Sequence, residues 1–390
     1  MRVVFAAAPA VGHLNPMLSL ARAFAESGDD VTVATAPELS ARAEAAGVRA
    51  VPAGPNLDVW WAELARRAGG TPGGGLPIDR ILPYFIPRLF AEIGTLQMVD
   101  DLVRCARGAD LVVFETFAFA GPLAAAVAGI PAVHHLLGPP PPLEAMQLAG
   151  DAVSPLWRKW QLEPRPYAGV YAGITLTICP AALGTTDLPV DVEVRQLKPV
   201  VLDAVAGETV PPWLRELADR PNVYMTLGTV TNTDRSVFAA VLDGLSGEPI
   251  NVIITVGPEN DPGELGRLPD NAHAERYIPQ SLLLPSCSAV ISHAGSGTML
   301  ATLRAGLPHL MIPQGADQYI NATICVRAGV AARLLPDEVT AANIRDRVRA
   351  MLRGGPMQQK AALVRDEIKA MPEPASTAAW LRQRVRASSN

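Results

Sequence analysis

The chain alternates short apolar, β-prone runs with helix-period segments, and it does so in two separate series. In the first series "VVFAAA" (3–8), "VTVATA" (31–36), "VRAVPA" (48–53), "DLVVFE" (110–115) and "PAVHHL" (131–136) read as strands. Helical patterns over 16–26, 38–46 and up to Gly129 lie between them. The second series sets "NVYMTLG" (222–228), "NVIITVG" (251–257), "AVISHAG" (289–295) and "PHLMIP" (308–313) against helical patterns at 235–245, 298–306 and 317–327. Such alternation calls for a parallel sheet with helices on both faces. Two series call for two Rossmann-like α/β domains, which a chain of 390 residues has room for. The polar, Pro-containing "AGETVPP" marks the passage between them. The expected division is a first domain over 1–205, a linker over 206–221 and a second domain over 222–373. A C-terminal helix over 374–390 is expected to pack back on the first domain.

Composition removes several function classes. Hydrophobic residues make up 49% and charged residues 18%, which suits a well-packed soluble protein rather than a disordered one. The net charge of −5 offers no basic excess for nucleic acid. No apolar stretch reaches the length of a membrane span, and a single Arg before a short apolar run does not make a signal peptide. Cys105, Cys179, Cys287 and Cys325 form no C-x-x-C pair, so neither zinc nor a disulfide framework is expected. Thiols kept reduced point to the cytoplasm.

Residues 54–109 interrupt the first series with Trp60, Trp61, a glycine run at 73–75, Tyr84, Phe85 and Phe90. This is more chain than the topology needs, and insertions at a sheet edge commonly carry binding. In the second series "HAGSGT" (293–298) joins a strand to a helix. Gly295 and Gly297 allow close backbone approach, Ser296 and Thr298 carry hydroxyls, and the helix start presents unpaired N–H groups. That is an anion site, with phosphate the usual anion and His293 a further donor. The alternative is a tight glycine turn with Ser296 or Thr298 as N-cap.

"YIPQ" (277–280), "HAGSGT" and "AGLPHLMIPQGADQ" (305–318), together with "GHLNP" (12–16) and "TLGT" (226–229), resemble family 1 glycosyltransferases of the GT-B fold. The nearest likeness is to actinobacterial enzymes that glycosylate natural products. The resemblance implies two Rossmann-like domains facing across a cleft and a nucleotide-diphosphate sugar as co-substrate, with no cofactor and no metal. Tyr277 matches the aromatic that stacks on the base, and Ile278 the backbone contact to it. Gln280 matches the start of the next helix. His293, Gly295, Ser296, Gly297 and Thr298 match the diphosphate site, with Thr229 near the phosphates. Asp317 and Gln318 match the pair that binds sugar hydroxyls, for which a carboxylate and an amide supply acceptor and donor. Plainer readings stand beside these: a core aromatic for Tyr277, a turn cap for Thr229, helix capping for Asp317 and Gln318.

The same resemblance assigns the histidine of "GHLNP". His13 follows the first strand and Glu115 ends the fourth, so both reach the C-terminal edge of one sheet, where open α/β sheets bind ligands. An imidazole there can take a proton from an acceptor hydroxyl, and a carboxylate behind it can orient the ring. The family usually has Asp where this chain has Glu115. For His13 the plain alternative is a helix cap; His134 and His135 read as wall residues. The expected function is an inverting transfer from a TDP- or UDP-sugar to a small apolar or aromatic acceptor, with no membrane or nucleic-acid partner. A sugar-nucleotide 2-epimerase on the same fold and a non-catalytic activator subunit are the alternatives. A dehydrogenase is disfavoured, because "APAVGHLNP" lacks the G-x-G-x-x-G spacing.

Overall fold

The computed structural model describes residues 1–184, 188–203, 208–217, 219–228 and 235–388. These fall into two compact units. The first holds Met1–Cys179, the described part of 185–202 and the chain from Met371 on; the second holds Pro180–Gly184 and the described part of 203–370.

The first unit is built on a parallel sheet of β1 (Arg2–Ala6), β2 (Asp30–Thr35), β3 (Arg49–Pro52), β4 (Leu111–Glu115), β5 (Ala132–His135), β6 (Ile174–Thr177) and β7 (Val194–Gln196). Their order is β3-β2-β1-β4-β5-β6-β7. The second carries β8 (Asn222–Thr226), β9 (Asn251–Thr255), β10 (Ala272–Glu275), β11 (Ala289–Ser292), β12 (His309–Met311) and β13 (Ala331–Arg333) in the order β10-β9-β8-β11-β12-β13, again all parallel. In each sheet the chain order reverses between the first strand and the fourth, and such a switch point opens a crevice at the strands' C-terminal ends. The apolar run 111–115 is buried throughout, as a central parallel strand requires. Four strands escaped the sequence reading: β6, β7, β10 and β13 are three or four residues long. β7 (VRQ), β10 (AHAE) and β13 (AAR) are edge strands with few of the β-branched residues that mark the equally short β11 (AVIS).

The helix after β1 begins at Val11, not at Pro16, so His13 lies in its first turn rather than in a preceding loop. Leu14, Met17, Leu18 and Ala21 are buried along one face, and that burial favours continuing the helix through Pro16. The proline removes one bond, to the carbonyl of exposed Gly12 near the helix start, where the loss is small.

The aromatic insertion is helical. A helix Leu57–Ala68 is followed by a continuous helical run, Ile78–Phe85, Ile86–Gly94 and Thr95–Ala106, whose middle segment is π-helical. Pro87 lacks the amide that a regular ladder uses, and the Thr95 N–H donates to the carbonyl of Phe90, five residues back. Gly94 is required where it stands: a Cβ there would lie 2.5 Å from the Trp60 ring, which is fully buried.

The last helix, Pro374–Ser388, belongs to the first unit and packs along the helix Val11–Glu26. Arg382 donates to the Asp29 carboxylate at 2.6 Å, and the Arg195 guanidinium lies 4.1 Å from the centre of the Trp380 ring. Asp29 is 6% exposed and Arg382 18%. Removing one partner from so buried a pair strands the other. Asp29→Ala is therefore expected to lower stability by about 3 kcal/mol in chemical denaturation. A loss below about 1 kcal/mol would mean that the pair behaves as a surface bridge.

Candidate active site

At the switch point of the first sheet, β1 and β4 run side by side with Ala6 opposite Phe114. Glu115, the last residue of β4, is completely buried. Its carboxylate is held from two sides. Oε1 accepts from the Ala8 N–H at 3.0 Å and Oε2 from the Phe117 N–H at 2.8 Å. His13 Nδ1 lies 3.2 Å from Oε1. A carboxylate accepts, so Nδ1 carries the proton and Nε2 keeps its lone pair, the arrangement of a general base. The longer side chain of Glu115 thus spans to the ring. The residue preceding the helix is Ala10, and the His13 side chain makes no capping bond to it. His134 and His135 lie behind this edge. Both are fully buried, and desolvation pushes them down to about 3 and about 4, so both are neutral near pH 7. His134 is bonded by Thr175 and Thr116 in the interior.

At the switch point of the second sheet, β11 ends in a turn whose Ala294 adopts φ +68°, a conformation that a side chain makes costly by about 1–3 kcal/mol. The helix Ser296–Ala305 follows with Gly295 as its N-cap and no side-chain cap. The first intrahelical bond runs from the Met299 N–H to the Gly295 carbonyl. The amides of Ser296, Gly297 and Thr298 are therefore outside the helical ladder and available to an anion. The His293 ring lies over two glycines: a Cβ on Gly228 would fall 2.6 Å from Cε1, and one on Gly295 2.4 Å from Nε2. Burial pushes His293 down to about 4, with the Asp317 carboxylate pulling the other way, so a neutral ring faces this turn.

The hydroxyls predicted for the phosphate site are engaged within the protein. Thr298 Oγ1 accepts from Gln280 Nε2 at 3.1 Å, and Ser296 Oγ donates to Asp317 Oδ2 at 2.8 Å. Asp317 precedes the helix Gln318–Ala328 but does not cap it; its carboxylate also accepts from Asn321. Gln318 Oε1 accepts from the amides of Gln314 and Gly315, which leaves the amide's donor end for a hydroxyl. Ile278 is buried. Tyr277 is 44% exposed and not a core aromatic, so a face is open to stacking. Its hydroxyl donates to the Asp203 carbonyl at 3.0 Å. Thr229 lies outside the described residues.

Asn321 was not singled out by its sequence. It is 1% exposed, and its Nδ2 reaches the Ala294 carbonyl (2.9 Å), Ser296 Oγ (3.1 Å) and Asp317 Oδ2 (2.9 Å). It therefore joins the strained turn to the Asp317 carboxylate. The signal was its place one helical turn beyond Asp317 on the same face.

Among the described residues no three His, Cys, Asp or Glu side chains group as a metal site, and no helix is long and apolar enough to cross a membrane.

Comparison with known proteins gives a consistent set of likenesses. Residues 239–383 match the family described as erythromycin biosynthesis protein CIII-like, C-terminal domain. The chain is 31% identical to L-demethylnoviosyl transferase of Streptomyces niveus, over 98% of this chain and 97% of the relative. The glycosyltransferase SnogD of Streptomyces nogalater superposes with a TM-score of 0.77 at 28% identity, covering 99% of each chain. The glycosyltransferase VinC, solved in complex with dTDP, gives 0.79 at 26% identity over 99% of this chain and 100% of its own.

Three fully buried histidines contribute to the acid sensitivity of the two units. His134 and His309 are pushed down to about 3 and His135 to about 4, all mainly by desolvation. The unfolded chain takes up these protons first, near the ordinary value of 6.5. Stability is thus fully present above that value and is lost as pH falls towards the folded values. Between pH 7 and pH 5 each histidine is expected to withdraw about 1–2 kcal/mol. Chemical denaturation at the two pH values checks this, and equal stabilities would show that these rings are not buried neutral.

Proposed function

This chain belongs to the actinobacterial natural-product glycosyltransferases of GT-B fold, and from that premise we propose a division of labour between its two half-sites. It is a glycosyltransferase, and its full-length relatives leave the epimerase and activator readings without support. The donor is a thymidine-diphosphate sugar, a choice supported by the dTDP-bound VinC relative. The second unit holds it: Tyr277 stacks on the base, the backbone of Ile278 contacts it, and the amides at 296–298 with His293 hold the diphosphate. Gln280 fixes Thr298 beneath. Asp317 and the Gln318 amide bind sugar hydroxyls. The acceptor is a small apolar or aromatic natural product whose hydroxyl is activated on the first unit. The four cysteines stand as free thiols, which suits a reducing compartment such as the cytoplasm.

In the reaction, the acceptor oxygen forms its bond to the anomeric carbon as its proton passes to His13 Nε2. The bond from that carbon to the diphosphate oxygen breaks, and the electron pair leaves with the diphosphate. Attack opposite the leaving group inverts the configuration. Glu115 holds the resulting imidazolium, and the unpaired amides of the helix start stabilise the departing charge, a preorganised arrangement that commonly supplies a large part of catalysis.

The observation that carries this reading is the pairing of His13 with a carboxylate already fixed by two amides. His13→Ala is expected to leave dTDP affinity near the wild-type value in calorimetry. With an ordinary alcohol acceptor it is expected to cut turnover by about 10²–10⁴-fold, the range for a positioned base. Wild-type turnover in the folded variant would remove His13 from the reaction.

A further inference from the structure

We propose that Phe90 and Phe117 form an aromatic cradle that sets the plane of the His13 ring, and that the π-helical turn at Ile86–Gly94 exists to place Phe90 there. The proposal rests on His13 being the base and adds the groups that aim it.

The hydrogen bond to Glu115 is 3.2 Å long and fixes one ring atom. One contact of that length leaves the tilt of the imidazole loosely held. The stacking supplies the missing constraint. The His13 and Phe90 rings are nearly parallel, 19° apart with centroids at 5.3 Å. Phe117 meets the same imidazole at 5.5 Å and 47°, and the two phenyl rings stack on each other at 5.0 Å and 29°. Phe117 is also the residue whose amide holds Glu115 Oε2, so one residue positions both members of the pair.

Phe90 is supported from behind. The fully buried Trp60 meets its edge at 6.2 Å and 78°, and Gly94 leaves room for the Trp60 ring. The charged neighbours on the π segment are turned elsewhere. Arg88 lies over Tyr84, and Glu92 faces Arg67. Phe90 itself carries the displaced carbonyl, which accepts from the Thr95 N–H. A regular helix would rotate Phe90 off this position, and π turns recur where a side chain must be re-aimed at a functional site.

The cradle acts on the reaction in two ways. It fixes the direction of Nε2, and misplacement of a reacting group by about 1 Å costs about 10²-fold. It also presents phenyl faces to a ring that becomes cationic as the proton arrives, an attraction absent while the ring is neutral. Phe90 and Phe117 are positioning residues: they act through His13.

The test is Phe90→Leu, which keeps apolar volume and removes the ring, with Phe90→Trp as rescue. With ¹⁵N-histidine labelling, the His13 signal is assigned by its loss in His13→Ala. In the wild type it is expected to be a single sharp signal with the proton on Nδ1; Phe90→Leu should free the ring tilt and broaden it, and Phe90→Trp should narrow it again. With dTDP-glucose as donor and 4-methylumbelliferone or 2-naphthylmethanol as acceptor, kcat should fall about tenfold in Phe90→Leu with both KM values little changed. The loss should be smaller for the acidic phenol, which needs less help from a base. A His13 signal identical to wild type in Phe90→Leu overturns the proposal, as does a loss confined to acceptor KM, which would make Phe90 a wall of the acceptor site. The spectroscopic readout is independent of catalysis, so failure of His13 as base would show in His13→Ala turnover alone.

Discussion

The first unit depends on how one buried carboxylate is satisfied. Glu115 ends a central strand with no exposed surface, where an unpaired charge would cost several kcal/mol. Two backbone amides meet it, one from the turn after β1 and one from the turn after β4. The adjacency of those strands in the sheet makes this possible, so the topology itself supplies the donors. The remaining acceptor capacity of the carboxylate is then directed at His13. Sheet order, strand register and ring tautomer follow one from another.

The second unit solves a different problem with the same architecture. Here the fold presents a set of amides outside the helical ladder beside a backbone turn under strain, which the proposed function assigns to a diphosphate. Asn321 ties the strained carbonyl of Ala294, the Ser296 hydroxyl and the Asp317 carboxylate into one rigid piece. The glycines at 228 and 295 keep a histidine ring within the turn that any side chain would displace. Under the proposed function, rigidity before binding lets such donors act on a leaving group without reorganising.

Much of this was legible in the sequence. The long strands were found because buried parallel strands are continuous apolar runs, and the doubled βαβ series announced two units. The motifs located His13, the glycine turn and Asp317, because those positions need particular residue types. Other features could not be read. β7, β10 and β13 are edge strands with few β-branched residues, and β6 was passed over with them. The helix start at Val11 was masked by Pro16, whose penalty is small at that position. The role of the aromatic insertion was visible only as a surplus of rings. That Phe90 stacks on His13 depends on a π turn, which no hydrophobic period encodes. Asn321 stands one helical turn beyond Asp317, a spacing that does not single it out by itself; the tertiary contacts make it the junction of a network.

The claim at the centre of the account is that His13 and Glu115 work as one unit, and a double-mutant cycle on single-turnover rates tests it most directly. His13→Ala, Glu115→Gln and the double variant would be compared with wild type, using dTDP-glucose and an ordinary alcohol acceptor, after near-ultraviolet circular dichroism confirms that each is folded. If the carboxylate acts only through the imidazole, the double variant should be no slower than His13→Ala alone, a strongly non-additive result. If the two losses instead multiply, Glu115 acts independently of His13 and the pairing is structural.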